Sequence, residues 1–118
     1  MDKFRSIYDR QVELLTLNDT DRMIDEQYTP DAALLNIDAP TAIVGAEALK
    51  EFFKGYIAKL GHLKLVSTDK YTESDDSIMF EATIETAGGV ARVYDTFVIR
   101  DGRIWRHYSG LLGFTPKS

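Results

Sequence analysis

The chain has 118 residues, 44% of them apolar, no cysteine, and a formal net charge of −5. That length predicts one domain, 1–118, with enough apolar material for a core. The missing cysteines exclude a disulfide scaffold and a thiolate nucleophile or ligand. The basic residues stand singly, which excludes the electrostatic footprint of a nucleic-acid binder or an anionic-membrane binder.

The opening segment "MDKFRSIYDR" has no apolar signal core, and no run approaches the ~18 residues of a membrane span, so the cytoplasm is the expected compartment. From about Asp2 to Leu17 the apolar residues Phe4, Ile7, Tyr8, Leu14 and Leu15 recur at three- and four-residue steps, with Gln11 among them. That spacing predicts an amphipathic helix. "NDTD", Asn18 to Asp21, supplies N-cap side chains for a second, short helix with Met23, Ile24 and Tyr28 inward. "TPD", Thr29 to Asp31, breaks it, since proline does not fit a helix interior.

"AALLNI", Ala32 to Ile37, reads as a short strand, and "DAPTAIV" as a loop with room for a small strand at its end. Gly45 starts a third helix whose stripe is Leu49, Phe52, Phe53, Tyr56, Ile57 and Leu60. Gly61 stops it. Beyond it the period falls from about 3.6 to 2. Four strands are predicted: Leu63 to Thr72, Ser77 to Thr86, Val90 to Arg100 and Arg103 to Gly113, followed by a short tail. The turns between them are short, so neighbours run antiparallel. The expected class is α+β: three helices packed on one face of a strongly curved, mostly antiparallel sheet. Short helices leave one end of such a concavity uncovered, where a pocket fits.

One strand carries an anomaly. In "ARVYDTFVIR" the face of Ala91, Val93, Asp95, Phe97 and Ile99 is apolar except for the central carboxylate. Burial of a lone carboxylate favours its neutral form unless a partner compensates. Two readings stand: an acid facing a pocket, or a buried aspartate satisfied by a neighbouring side chain or amide. The register of the last hairpin bears on this. A two-residue Asp101-Gly102 loop sets Asp95 opposite Tyr108. A three-residue Arg100-Asp101-Gly102 loop sets it opposite His107 and puts Phe97 against Trp105. The second is favoured. His107 is then either a general acid or base beside Asp95 or a structural partner closing the core. The aromatic residues Phe53, Phe97 and Trp105 read first as core and second as pocket walls. The tyrosines Tyr8, Tyr28 and Tyr56, all on helices, offer hydroxyls. Two histidines far apart and no cysteine give no metal-ligand spacing.

The segments "YTPDAALLNI", "VGAEALKEFF" and "VYDTFVIRDGRIWRHYS", in this order, resemble the nuclear transport factor 2-like superfamily. That group includes ketosteroid isomerases and SnoaL-like polyketide cyclases. The resemblance implies a cystatin-like cone with a ligand pocket at its open end, and a homodimer formed through the outer face of the sheet. Compared position by position, the isomerase's proton-shuttling aspartate falls at Asn36, its oxyanion tyrosine at Val12, and a second tyrosine at Phe53. Only the second oxyanion-hole acid matches, at Asp95. The acid that SnoaL-like proteins often carry after the last-strand histidine is Ser109 here. The resemblance therefore implies a protein that binds a small hydrophobic organic ligand. As an enzyme it would be a cofactor-free isomerase, cyclase or lyase with Asp95 and His107 as the catalytic pair. Asn36, Phe53, Tyr56, Phe97, Trp105, Tyr8 and Tyr28 would contact the ligand. The alternative is a non-catalytic dimerising or ligand-sensing module of the same fold. No metal and no cofactor is expected, and neither nucleic acid nor a membrane as partner.

Overall fold

The computed structural model describes residues 3–117. Asp2, where the first helix was expected to begin, lies outside the described residues. Helices α1 (Arg5–Thr16), α2 (Thr20–Gln27) and α3 (Ala46–Leu60) pack on a sheet of β1 (Tyr28–Asn36), β2 (Ile43–Val44), β3 (Lys64–Glu73), β4 (Ser77–Thr86), β5 (Gly89–Arg100) and β6 (Arg103–Pro116). The strand order is β2-β1-β6-β5-β4-β3. Only β1 and β6 pair in parallel; the other neighbours are antiparallel. This is the expected α+β architecture.

Each helix buries its apolar stripe against the sheet. Tyr8 and Leu14 of α1, Met23 and Ile24 of α2, and Leu49, Phe53 and Ile57 of α3 are buried. The strand β4 alternates strictly, with Ile78, Phe80, Ala82 and Ile84 inward. Gly45 (φ 92°) and Gly61 (φ 81°) bracket α3 in conformations that side chains rarely adopt.

Four expectations need correction. Tyr28 is not helical. Its backbone is extended (φ −112°, ψ 147°), and it opens β1. That strand therefore starts before Thr29-Pro30-Asp31, not after it. The proline's missing N–H is tolerated because pairing of β1 with β6 is interrupted between Tyr28 and Ala33. The segment after Gly113 is not a tail: β6 continues to Pro116, which pairs with Gly89. Finally, the β5–β6 loop has two residues. Asp101 (φ 54°) and Gly102 (φ 77°) both take the left-handed conformation of a type I′ turn. A bulge follows: Ile99 pairs with Ile104 but Val98 with Arg106, leaving Trp105 as the extra residue. Asp95 consequently faces Ser109, and Phe97 faces His107 rather than Trp105.

Candidate functional site

The sheet curls around a cavity of about 720 Å³. Its roof is α1 and α3, through Val12, Leu15, Phe52, Phe53 and Tyr56. Its floor is the concave sheet, through Leu34 of β1, Phe80 and Ala82 of β4, Val93, Asp95 and Phe97 of β5, and His107 and Ser109 of β6. The exposed lining residues Asp38, Lys59, Leu111 and Phe114 mark the opening to solvent. The interior is predominantly apolar, which gives each polar group in it a high electrostatic weight.

Asp95 and His107 meet although the pairing puts them two residues out of register. His107 Nε2 lies 2.6 Å from Asp95 Oδ1, a diagonal contact across the pleat that long side chains reach. The imidazole is 5% exposed and the carboxyl 16%. Behind them runs a chain of hydrogen bonds from the helices. Gln27 Nε2 donates to the Ile7 carbonyl (2.7 Å) and to Gln11 Oε1 (3.4 Å). Gln11 Nε2 donates to the Tyr28 hydroxyl oxygen (2.8 Å), and that oxygen lies 2.8 Å from His107 Nδ1.

The sense of every link follows from the first. A carbonyl only accepts, so the Ile7 oxygen fixes the Gln27 amide, and Gln27 fixes Gln11. The Tyr28 oxygen receives a proton from Gln11, so its own O–H points to Nδ1. The opposite tautomer would leave the phenolic proton without an acceptor among the described residues. His107 therefore carries its proton on Nε2 and donates it to Asp95. Both ring nitrogens are committed to protein partners.

Asp95 has one oxygen left. No described residue bonds Oδ2, and Asp95 lines the cavity. Burial pushes its carboxyl above the ordinary carboxylate range, and the His107 hydrogen bond partly offsets that. Burial also raises Tyr28, with Gln11 opposing, and raises Tyr8, with Thr68 opposing. Tyr56 is pushed up to about 12, first by burial and then by the nearby Asp95 charge.

Of the residues singled out from sequence, Asp95, His107, Asn36, Phe53, Tyr56, Phe97 and Tyr8 all line the cavity. Tyr28 and Trp105 do not. Tyr28 sits behind His107, fully buried. The bulge takes Trp105 off the concave face, and its indole is sandwiched between the guanidiniums of Arg100 and Arg106, each 3.7 Å from the ring centroid. Tyr8 lines the wall but commits its hydroxyl to Thr68. Asn36 donates to Ser109 Oγ (3.0 Å) and accepts the Asp38 backbone N–H (2.9 Å), so its amide stiffens the rim. Gln11 and Gln27 were missed as site residues. The signal was present: each is a long amide on the buried face of its helix.

Among the described residues, no three histidine, aspartate or glutamate side chains gather as a metal site would need. Among the described residues, no helix is long and apolar enough to cross a membrane.

A family model described as a SnoaL-like domain matches residues 8–107. The chain is similar in structure to an NTF2-like protein from Anabaena variabilis (TM-score 0.80, 19% identity, covering 98% of this chain and 92% of that one). It is similar to a candidate isomerase of the SnoaL-like family from Agrobacterium tumefaciens (0.80, 12%, 96% and 100%). It is also similar to a candidate polyketide cyclase from Sinorhizobium meliloti (0.74, 21%, 88% and 93%). At these identities the structures show the fold alone. No curated protein sequence matches the chain.

Proposed function

We propose that this chain, which belongs to the SnoaL-like domain family within the NTF2-like superfamily, binds a small, largely apolar organic molecule in its cone and moves a proton next to a carbonyl. The observation that carries this reading is Asp95: a carboxyl with one free oxygen, in an apolar cavity, braced from behind by an oriented chain of side chains. A base works best with a pKa near the operating pH, and burial moves this carboxyl upward, in that direction. His107 is a positioning residue, the structural one of the two roles the sequence left open, because both of its nitrogens are already engaged. It holds Asp95 Oδ1 and so aims Oδ2. The chemistry that fits is isomerisation, cyclisation or elimination by protein side chains alone.

A cavity of about 720 Å³ lies within the usual 300–1,000 Å³ range of sites for drug-sized ligands. The test is a thermal-shift and calorimetric screen of neutral ketones and lactones. Ligand at about 100 times its Kd adds about 2.7 kcal/mol of stability, a readable shift. A ligand whose binding is weakened by Asp95→Leu but kept by Trp105→Phe supports the reading. Ligands that bind equally to wild type and Asp95→Leu would leave the cone a passive binding module.

The same proposal includes a homodimer through the outer face of the sheet. Leu35 (46% exposed), Tyr108 (39%) and Met79 (50%) lie in one row across the strands, linked through Thr96 by the pairing register. An exposed apolar row of this kind fits a second copy better than solvent.

A further inference from the structure

The protons of the side-chain network all point one way, through Tyr28 and His107 toward Asp95. His107, unprotonated at Nδ1, gives Asp95 a hydrogen bond and no positive charge. No described residue bonds Asp95 Oδ2, so this oxygen is an open acceptor, and the group that complements it is a donor. The charges around the cavity are uneven as well. Its mouth carries one of each sign, Asp38 and Lys59, both exposed. Among the other described lining residues Asp95 is the only charged side chain, and it is 16% exposed. Charges held away from water are normally paired. The walls suit a cation. Phe80 is the cross-strand partner of Asp95, and Phe97 follows two residues along β5 on the same face. Their rings meet edge to face with centroids 5.4 Å apart, and Tyr8 packs on Phe80 at 4.5 Å. Phe52, Phe53 and Tyr56 cover the site from α3. Aromatic faces attract an ammonium group. Burial raises the pKa values of Tyr8, Tyr28 and Tyr56, and the Asp95 charge adds to the rise in each, so its negative potential spans the cavity.

We infer that the cavity binds a lipophilic amine as its ammonium ion, with an N–H donating to Asp95 Oδ2 and the apolar body held among the aromatic rings. Such a hydrogen bond is charge-assisted and gains strength in apolar surroundings. This goes beyond the proton-transfer reading. Asp95 acts here as a counter-ion, no bond is made or broken, and an amine seated on Oδ2 blocks the oxygen that the chemistry would use. The remaining walls select a monoamine. Leu63, Leu65, Ile84 and Ala91 are aliphatic, and Thr86 commits its hydroxyl to the Gly89 carbonyl. A second ammonium group would have no carboxylate to pair with inside, and the carboxylate of an amino acid would have no cation.

The test compares 2-naphthylmethylamine with 2-naphthalenemethanol, alike in size and different in charge, by calorimetry. Wild type should favour the amine. Asp95→Asn keeps the shape and the hydrogen bond from His107, and turns an N–H toward the ligand. It should raise the amine Kd about 10- to 100-fold, the range for a hydrogen bond to a charged group, and the alcohol Kd less than about 3-fold. A second readout needs no variant. As pH falls through the raised Asp95 pKa, the carboxylate is lost while the ammonium keeps its charge, so amine affinity should fall and alcohol affinity stay level. The other titratable groups facing this site are His107 on β6, Tyr8 on α1, Tyr28 on β1 and Tyr56 on α3, with Asp38 and Lys59 at the mouth; they surround both ligands alike, so the alcohol controls for them. An amine that fails to bind, binds wild type and Asp95→Asn equally, or keeps its affinity as Asp95 titrates overturns the inference. Amine selectivity in a protein that transfers no proton keeps the inference and removes the acid–base reading. Proton transfer without amine selectivity does the reverse.

Discussion

Tyr28→Phe tests the orientation argument on which the site depends. The change deletes one oxygen from a fully buried side chain. It leaves the Gln11 amide N–H and the His107 Nδ1 lone pair facing each other's former partner. Each orphaned buried polar group costs about 1–3 kcal/mol. Two of them, with some relaxation, predict a loss of about 2–5 kcal/mol, a large share of the roughly 5–15 kcal/mol that holds a domain together. At about 4 °C per kcal/mol for this chain length, the melting point falls by about 8–20 °C. Tyr8→Phe is the matched control. It also removes a phenolic oxygen, but its partner Thr68 is only half-buried and can turn to water, so the cost is about 1 kcal/mol. Urea midpoints give both values. The ¹⁵N shifts of His107 add a second readout, since only His62 shares the spectrum: the wild type should show a protonated Nε2 and an accepting Nδ1. Equal stability losses in the two variants, or a wild-type imidazole with its proton on Nδ1, would refute the chain of donors drawn from Ile7 to Asp95.

Three further outcomes are expected. Because burial raises the Asp95 pKa above its unfolded value, the folded state holds this proton more tightly. Stability from this group is therefore present at low pH and lost as pH rises through the raised value. Asp95→Asn, whose amide oxygen still accepts from His107, should thus gain on the wild type as pH rises; a flat difference in urea midpoint from about pH 4 to pH 8 contradicts this. Gly89→Ala would drive its Cβ into the Thr115 carbonyl oxygen. The β5–β6 pairing at Pro116 must shift, at about 1–3 kcal/mol, measured by chemical denaturation. The double variant Met79→Glu/Tyr108→Glu puts charge into the exposed row on the outer face. Light scattering should then report a monomer where the wild type is a dimer, and a monomeric wild type would remove the dimer proposal.

The parts legible in the sequence were those encoded locally. The six-residue stripe of α3 and the glycines that bracket it fix that helix by period and backbone conformation, with no help from the rest of the chain. The strict alternation of β4 fixes its faces in the same way. The hairpin register was not legible. A type I′ turn shortens the loop by one residue and moves the partner of Asp95 from His107 to Tyr108; the bulge at Trp105 moves it one residue further, to Ser109. The curvature of the whole sheet, rather than any residue type, sets where such a bulge sits. Asp95 and His107 still meet because the net slip is two residues, which preserves the face. Trp105, at the bulge itself, is the residue the slip displaced. Tyr28 was misplaced for a related reason. Its aromatic ring continues the inward stripe of α2, but the chain turns extended at that residue, and the ring ends up under His107. The role of Gln11 and Gln27 depends on contacts 16 to 20 residues apart in the chain, and periodicity within one helix carries no record of those.

The central claim is that Asp95 moves a proton on carbon inside the cone, and deuterium uptake reads this without knowing the physiological substrate. 2-Acetylnaphthalene is incubated with the protein in D₂O at neutral pH, and the acetyl methyl protons are followed by NMR. Wild type is predicted to speed their exchange above the buffer rate, and Asp95→Asn to return it to the buffer rate. Exchange at the buffer rate in the wild type, or equally fast in Asp95→Asn, would contradict the account.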